Sequence, residues 1–143
     1  MSFSDIYQIS GSAMTAQTVR LNTVASNLAN ADTGASSEGA AYKARTPVFA
    51  AVYHNSLINQ SRHDIDGASV IVQDVTTNGG AIKRYEPHNP LADQNGDVWY
   101  SDVNVVEQMA DMMSASRDFE TNVDVLNNVK SMQQSLLKLG EGV

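Results

Sequence analysis

Ala25-Ser26-Asn27-Leu28-Ala29-Asn30-Ala31-Asp32-Thr33-Gly34 (ASNLANADTG) closes a long segment that contains no proline. Two asparagines three residues apart are weak interior helix formers, because their amides compete for backbone hydrogen bonds. Upstream of them, large side chains recur every seventh residue, at Tyr7, Met14, Leu21 and Leu28. Ile6, Ala13, Val24, Ala25 and Ala31 flank that row, which predicts an amphipathic helix from Phe3 to about Ala31 with near-heptad spacing. Ser10 and Gln17 interrupt the second row of the stripe, so it is thin, while Ile9, Ala16 and Val19 form a weak row elsewhere. A helix apolar on more than one side touches more than one neighbour. Asp32, Thr33 and Gly34 supply an ordinary stop. Asn27 and Asn30 sit beside Leu28 on one edge, where their amides can bond a neighbouring helix or backbone.

The far end of the chain repeats the pattern. Asn104 followed by Glu107 reads as a capping box. Val105, Met112, Phe119 and Leu126 then recur at seven, with Met109, Val123 and Leu137 beside them. After Leu126 the stripe rotates onto Val129, Met132, Leu136 and Leu139, as expected when a heptad drifts on a 3.6-residue helix. Lys138 and Gly140 end it. The methionines at helical spacing read as packing residues rather than a cofactor box.

Between the helices the period changes. Thr46–Tyr53 and Ala68–Val75 are rich in Val and Ile, Ala81–Tyr85 and Val98–Tyr100 extend the same character, and Asn78-Gly79-Gly80 and Asn95-Gly96 are turn signals. His54 to Gly67 is polar and reads as loop. The expected fold is α+β and mainly α. Two long helices, about 40 and 50 Å at roughly 1.5 Å per residue, pack as an antiparallel coiled-coil-like pair around a small β-rich middle. The corresponding divisions are residues 1–33, 34–101 and 102–143.

Composition narrows the function. The 143 residues carry a formal charge of −7, which disfavours nucleic acid and anionic membranes as partners. Aromatics are only 6% of the chain, so a core built at roughly 25 cal/mol per Å² of buried apolar surface is modest. Cysteine is absent, and no secretory signal or membrane-length apolar run is visible. Asp93-Gln94-Asn95-Gly96-Asp97 lacks the ligand order of a calcium loop and reads as a turn. His54, His63 and His88 have no metal-ligand spacing. No nucleophile elbow, phosphate loop or dinucleotide fingerprint occurs, and the Asn59-Gln60-Ser61 sequon is a short chance match. No cofactor, metal or catalytic residue is expected.

"LNTVASNLANADT", Leu21 to Thr33, resembles the N-terminal signature of the bacterial flagellar rod and hook proteins, a helix closing in an Asn-x-x-Asn-Ala-Asn-Thr-like run. Asp32 replaces the third asparagine. "MSASRDFETNVDVLNNVKSMQQSLLKLG", Met113 to Gly140, resembles the C-terminal helix of the same family. There Arg117, Phe119 and Asn122 stand for an Arg-aromatic-x-x-Asn pattern, with the aromatic one step later. "YEPHNPLADQNGDV" (Tyr85 to Val98) and "AYKARTPVF" (Ala41 to Phe49) resemble segments of its proximal-rod branch.

The resemblance implies a structural subunit of the flagellar rod, a hollow helical shaft in the periplasm that carries motor torque. It implies export through the flagellar type III apparatus without a cleaved signal. The implied partners are other proximal and distal rod proteins, the ring and export-gate base, and further copies of the chain. The helix rows through Tyr7, Met14, Leu21, Val24 and Leu28, and through Val105, Met109, Met112, Phe119, Val123 and Leu126, would be the assembly surfaces. Asn27, Asn30, Asp32, Thr33, Arg117 and Asn122 join them as motif residues. Ends that are disordered in the free chain and fold on assembly fit the thin stripe. The competing readings are a cytosolic coiled-coil adaptor and an enzyme with carboxylates hidden in the β region.

Overall fold

The computed structural model describes residues 3–54 and 67–140. Helix α1 spans Phe3–Asn30, strands β1 to β4 span Ala44–His54, Gly67–Asn78, Ala81–Tyr85 and Asp97–Ser101, and helix α2 spans Val105–Gly140. The expected element order and strand positions are all present. Most of the loop expected between His54 and Gly67, with the sequon and His63, lies outside the described residues.

β1 and β2 form an antiparallel ribbon, in register from Ala44 opposite Asn78 to His54 opposite Gly67. The register shifts between Val48 and Phe49, which face Asp74 and Val72, so Gln73 is the extra residue of a bulge. A bulge bends its strand and sharpens the local twist. α1 packs along this ribbon, and the Val70 N–H donates to Ser12 Oγ at 3.0 Å. Gly79, at φ 101°, turns the chain into β3 in a conformation that residues with a Cβ rarely adopt.

β3 and β4 form a second, shorter antiparallel pair. The connector after α1 supplies β4's other neighbour. The Ala35 N–H donates to the Trp99 carbonyl at 2.7 Å, and the Trp99 N–H returns a bond at 3.0 Å. Val98 is thereby fully enclosed. The acidic stretch before β4 is a tight turn, as expected. The Asp93 carboxylate accepts the N–H groups of Asn95 (2.7 Å) and Asp97 (3.0 Å), and Gly96 takes φ 82°.

Asn104 caps α2 through its side-chain oxygen, which accepts from the N–H groups of Val106 (3.1 Å) and Glu107 (3.3 Å). This satisfies two of the donors that a helix start leaves unpaired. The helices run antiparallel. Moving along α1 from Tyr7 through Gln17 and Arg20 to Asn27, the partners on α2 step backwards from Gln133 through Asp118 and Asp111 to Gln108.

The seam between them differs from the expected one on α1. Tyr7 is 37% exposed, and Met14, Leu21 and Leu28 are only half-buried. The enclosed row is Ser10, Val24 and Ala31, with Gln17 half-buried among them. On α2 the expected Val105, Met112, Phe119 and Leu126 are half-buried, as is Val123. They alternate with Gln108, Ala115, Asn122 and Val129, of which Ala115 and Val129 are buried. Met109 lies off this seam, 54% exposed. Small side chains let two backbones approach closely, whereas large ones are pushed to the edges. The core is correspondingly spare: Ala16, Val24, Ala31, Ala41, Val98, Ala115 and Val129.

Candidate assembly surface

Asn27 is the junction of the molecule. It is the last fully enclosed residue of α1 and 1% exposed. Its Nδ2 donates to the Arg45 carbonyl and to Gln108 Oε1, each at 2.8 Å. Its Oδ1 accepts from the Tyr42 hydroxyl and the Arg45 N–H, each at 2.9 Å. An amide offers two donors and two acceptor sites, so its capacity is filled. One side chain thus fixes the connector, the start of β1 and the base of α2 against α1. Only an amide in this place matches two donors and two acceptors at once.

Asn30 behaves differently. Its Nδ2 donates to the Ser26 carbonyl one turn back in its own helix (2.8 Å), a local bond. Asn122 on α2 does the same with the Asp118 carbonyl at 2.8 Å. Asp32, Thr33 and Arg117 are exposed. Thr33 closes the helix end through its N–H, which donates to the Asn30 carbonyl at 3.2 Å. Of the motif asparagines, Asn27 alone joins separate elements through its amide.

Two turns before Asn27, Arg20 pairs with Asp111 at 2.7 Å and lies 3.9 Å from Asp118. Beside this pair a cleft of about 310 Å³ opens between α1, the start of β1 and the base of α2. Val24, Pro47 and Phe49 give it an apolar side, and Arg45, Gln108 and Asp111 a polar one. Tyr42, Arg45 and Gln108 were not singled out by their sequence positions. The one signal for the first two was their place in the "AYKARTPVF" segment.

The β3–β4 unit carries its own charge network. Lys83 pairs with Asp97 at 2.7 Å and lies over Trp99, and Arg84 stacks 4.6 Å from the Tyr100 ring centre. Glu86 accepts from Asn89 Nδ2 and from the Tyr100 hydroxyl, each at 2.9 Å. Those bonds favour the carboxylate and hold Glu86 below its ordinary pKa, while the Tyr100 hydroxyl is pushed up by the same contact. Backbone donors from Asp97 and Asn95 lower Asp93 in the same way, and Lys83 is raised by its bond to Asp97. Together these contacts tie β3 to β4 and both strands to the turn between them. Among the described residues no cluster of three or more His, Cys, Asp or Glu is placed to hold a metal ion, and no helix is long and apolar enough to cross a membrane.

Two families match the chain's ends. "Flagella basal body rod protein" matches residues 8–34, and "Flagellar basal body rod FlgEFG protein C-terminal" matches residues 94–139. The chain is 43% identical to the flagellar basal-body rod protein FlgC of Salmonella typhimurium over 141 residues, covering 99% of this chain and 100% of that one. With the FlgC of Escherichia coli O6:H1 the identity is 41% over the same coverage, and with that of Yersinia enterocolitica it is 38% over 143 residues, again 99% and 100%. The match runs through both helices and the middle together. The chain therefore belongs to the FlgC family of flagellar basal-body rod proteins, as a structural subunit of the rod and not an enzyme.

Proposed function

We propose that this subunit sits in the proximal rod and assembles with other rod proteins, and with the ring and export-gate base, into the helical shaft that transmits torque for swimming. The end-to-end likeness to FlgC proteins carries this reading. The fold supports it physically. Two long antiparallel helices form a stiff stem, and the β1–β2 ribbon lies along α1 between Ser12 and Asn27. The divisions at residues 1–33, 34–101 and 102–143 then correspond to two stem helices and a side region. The exposed edges of the helix rows, with Asp32, Thr33 and Arg117, are the surfaces offered to neighbours, and Asn27 anchors the stem from inside. Export through the flagellar type III apparatus, without a cleaved signal, delivers the chain to the periplasm.

Deleting the gene and restoring it in trans tests the reading. Swimming should be lost and then recovered, and image reconstruction of isolated basal bodies should show the chain in the proximal rod. Secretion should stop when the flagellar exporter is disabled. A strain that still swims without the chain would remove the proposal, and so would export independent of the flagellar apparatus. The adaptor reading predicts a cytosolic protein in every one of these strains.

A further inference from the structure

An asparagine amide is a latent electrophile. The backbone nitrogen of the next residue can attack its Cγ, and glycine leaves that approach least hindered because it has no Cβ. The chain holds two such steps, Asn78-Gly79 and Asn95-Gly96, each with its asparagine exposed, and no other asparagine precedes glycine. The two are alike in sequence and opposite in structure. At Asn95 the attacking nitrogen is occupied. The Gly96 N–H donates to the Asp93 carbonyl at 3.0 Å, and the Asn95 N–H donates to Asp93 Oδ1 at 2.7 Å. The Gly96 carbonyl accepts from the Glu86 N–H at 2.8 Å, and a Cβ on Gly96 would stand 3.0 Å from Tyr85 and 3.2 Å from Pro87. The peptide is held at both ends and hemmed in. The Asp93 carboxylate bonded into this turn also opposes loss of the Gly96 proton.

At Asn78 these restraints are missing among the described residues. Asn78 forms the last pair of the ribbon, opposite Ala44, and pairs at the end of a ladder open most readily. Its Nδ2 reaches only Thr76 Oγ1, at 3.5 Å, the outer limit of a hydrogen bond. The Gly79 N–H has no acceptor among the described residues. Gly80 follows, exposed, with nothing within 4 Å of where a Cβ would stand, so the chain has room to swing.

We propose that Asn78 is a site of spontaneous deamidation and that the fold protects Asn95 from the same reaction. The Gly79 nitrogen gives up its proton to water and bonds to the Asn78 Cγ. The Cγ–Nδ2 bond breaks, and the nitrogen leaves as ammonia after taking a proton back, which closes a succinimide ring. Water then adds to one of the two ring carbonyls and opens it. One opening yields aspartate, and the other yields isoaspartate, whose main chain runs through the former side-chain carbon. Water is the only co-reactant. Residues 78–80 are the covalent link between the β1–β2 ribbon and the β3–β4 pair. Isoaspartate therefore lengthens that link by one methylene and sets a negative charge on it. The inference does not rest on the rod assignment.

The test incubates the full chain at mildly alkaline pH, folded and in guanidinium chloride, with circular dichroism to establish each state. Peptide mapping with electron-transfer fragmentation follows both asparagines and separates aspartate from isoaspartate. In the folded chain Asn78 should convert about tenfold or more faster than Asn95, which must first break its turn's bonds to Asp93. In denaturant the two should convert at similar rates, because the steps share their chemistry. Asp93→Ala takes the carboxylate out of the turn and should speed conversion at Asn95 while leaving Asn78 unchanged. Equal rates in the folded chain would overturn the proposal, as would an Asn78 that stays intact or a rate ratio that persists in denaturant. An Asn95 that Asp93→Ala does not speed would overturn the protection. If that variant does not fold, the parent chain's two rates decide alone.

Discussion

Replacing Asn27 by alanine strands four hydrogen-bonding groups on three other residues, in a place that is 1% exposed. Buried groups left unsatisfied cost on the order of 1–3 kcal/mol, and partial rehydration near the cleft offsets some of it, so Asn27→Ala should lose about 2–3 kcal/mol in a denaturant melt. Asn27→Asp should fare no better, since it sets an acceptor against the Arg45 carbonyl and Gln108 Oε1. Asn30→Ala removes only an intrahelical bond, and its effect should stay within about 0.5 kcal/mol. Equal losses from Asn27→Ala and Asn30→Ala would contradict the junction. The second residue-scale prediction concerns pH. Asp93 is held below its ordinary value of 3.8 by backbone donors from Asp97 and Asn95. A depressed carboxylate contributes stability that is complete above its unfolded pKa and is lost as pH falls through the folded one. The turn before β4 should therefore stay closed at mild acid and loosen only below pH 3.8. Carboxyl-carbon NMR should give Asp93 a midpoint under that value, with the Asn95 and Asp97 amide shifts following the same curve. A midpoint at or above it would refute the assignment.

Helix α2 was legible in the sequence because Met112, Phe119 and Leu126 are bulky and keep a strict seven-residue spacing that its seam uses. Helix α1 was legible as a helix, yet its seam was read one row away. Size served there as a proxy for burial, and it pointed to Tyr7, Met14, Leu21 and Leu28. The structure encloses Ser10, Val24 and Ala31 instead, because a close helix pair selects small side chains. The strands were legible from Val and Ile runs and from Asn-Gly turns. The bonds of Asn27 were not, because they join residues 15, 18 and 81 positions apart and nothing local announces them. The close approach gives its own prediction. Ala115 is fully enclosed, so Ala115→Leu must push the helices apart and should cost about 1–3 kcal/mol. Val125→Leu, on the partly exposed flank of the same helix, should cost far less. If both leave the melting temperature unchanged, the seam has been misplaced.

At the scale of the whole molecule, protection should be uneven. Residues 105–129 of α2 lie against α1, and past Val129 every described residue is exposed, with Gln133 meeting the Tyr7 hydroxyl. Amide exchange on the dilute chain should be slow in the first stretch and faster in residues 130–140. Uniform protection along α2 in the monomer would contradict this.

The Asn27 junction also sets an order of events in time. Its bonds to Tyr42 and Arg45 close loops of 15 and 18 residues, whereas its bond to Gln108 closes one of 81. The longer closure costs about 1.3 kcal/mol more entropy than the 18-residue one on the logarithmic scaling of loop length. α1, the connector and β1 should therefore collapse as an early nucleus, with α2 arriving last. Gln108→Ala should then speed unfolding and leave the refolding rate nearly unchanged, while Tyr42→Phe slows refolding. The late-arriving helix also carries the exposed Val106, Met109 and Met113, so until α1 claims its other side it holds apolar surface in water on more than one face.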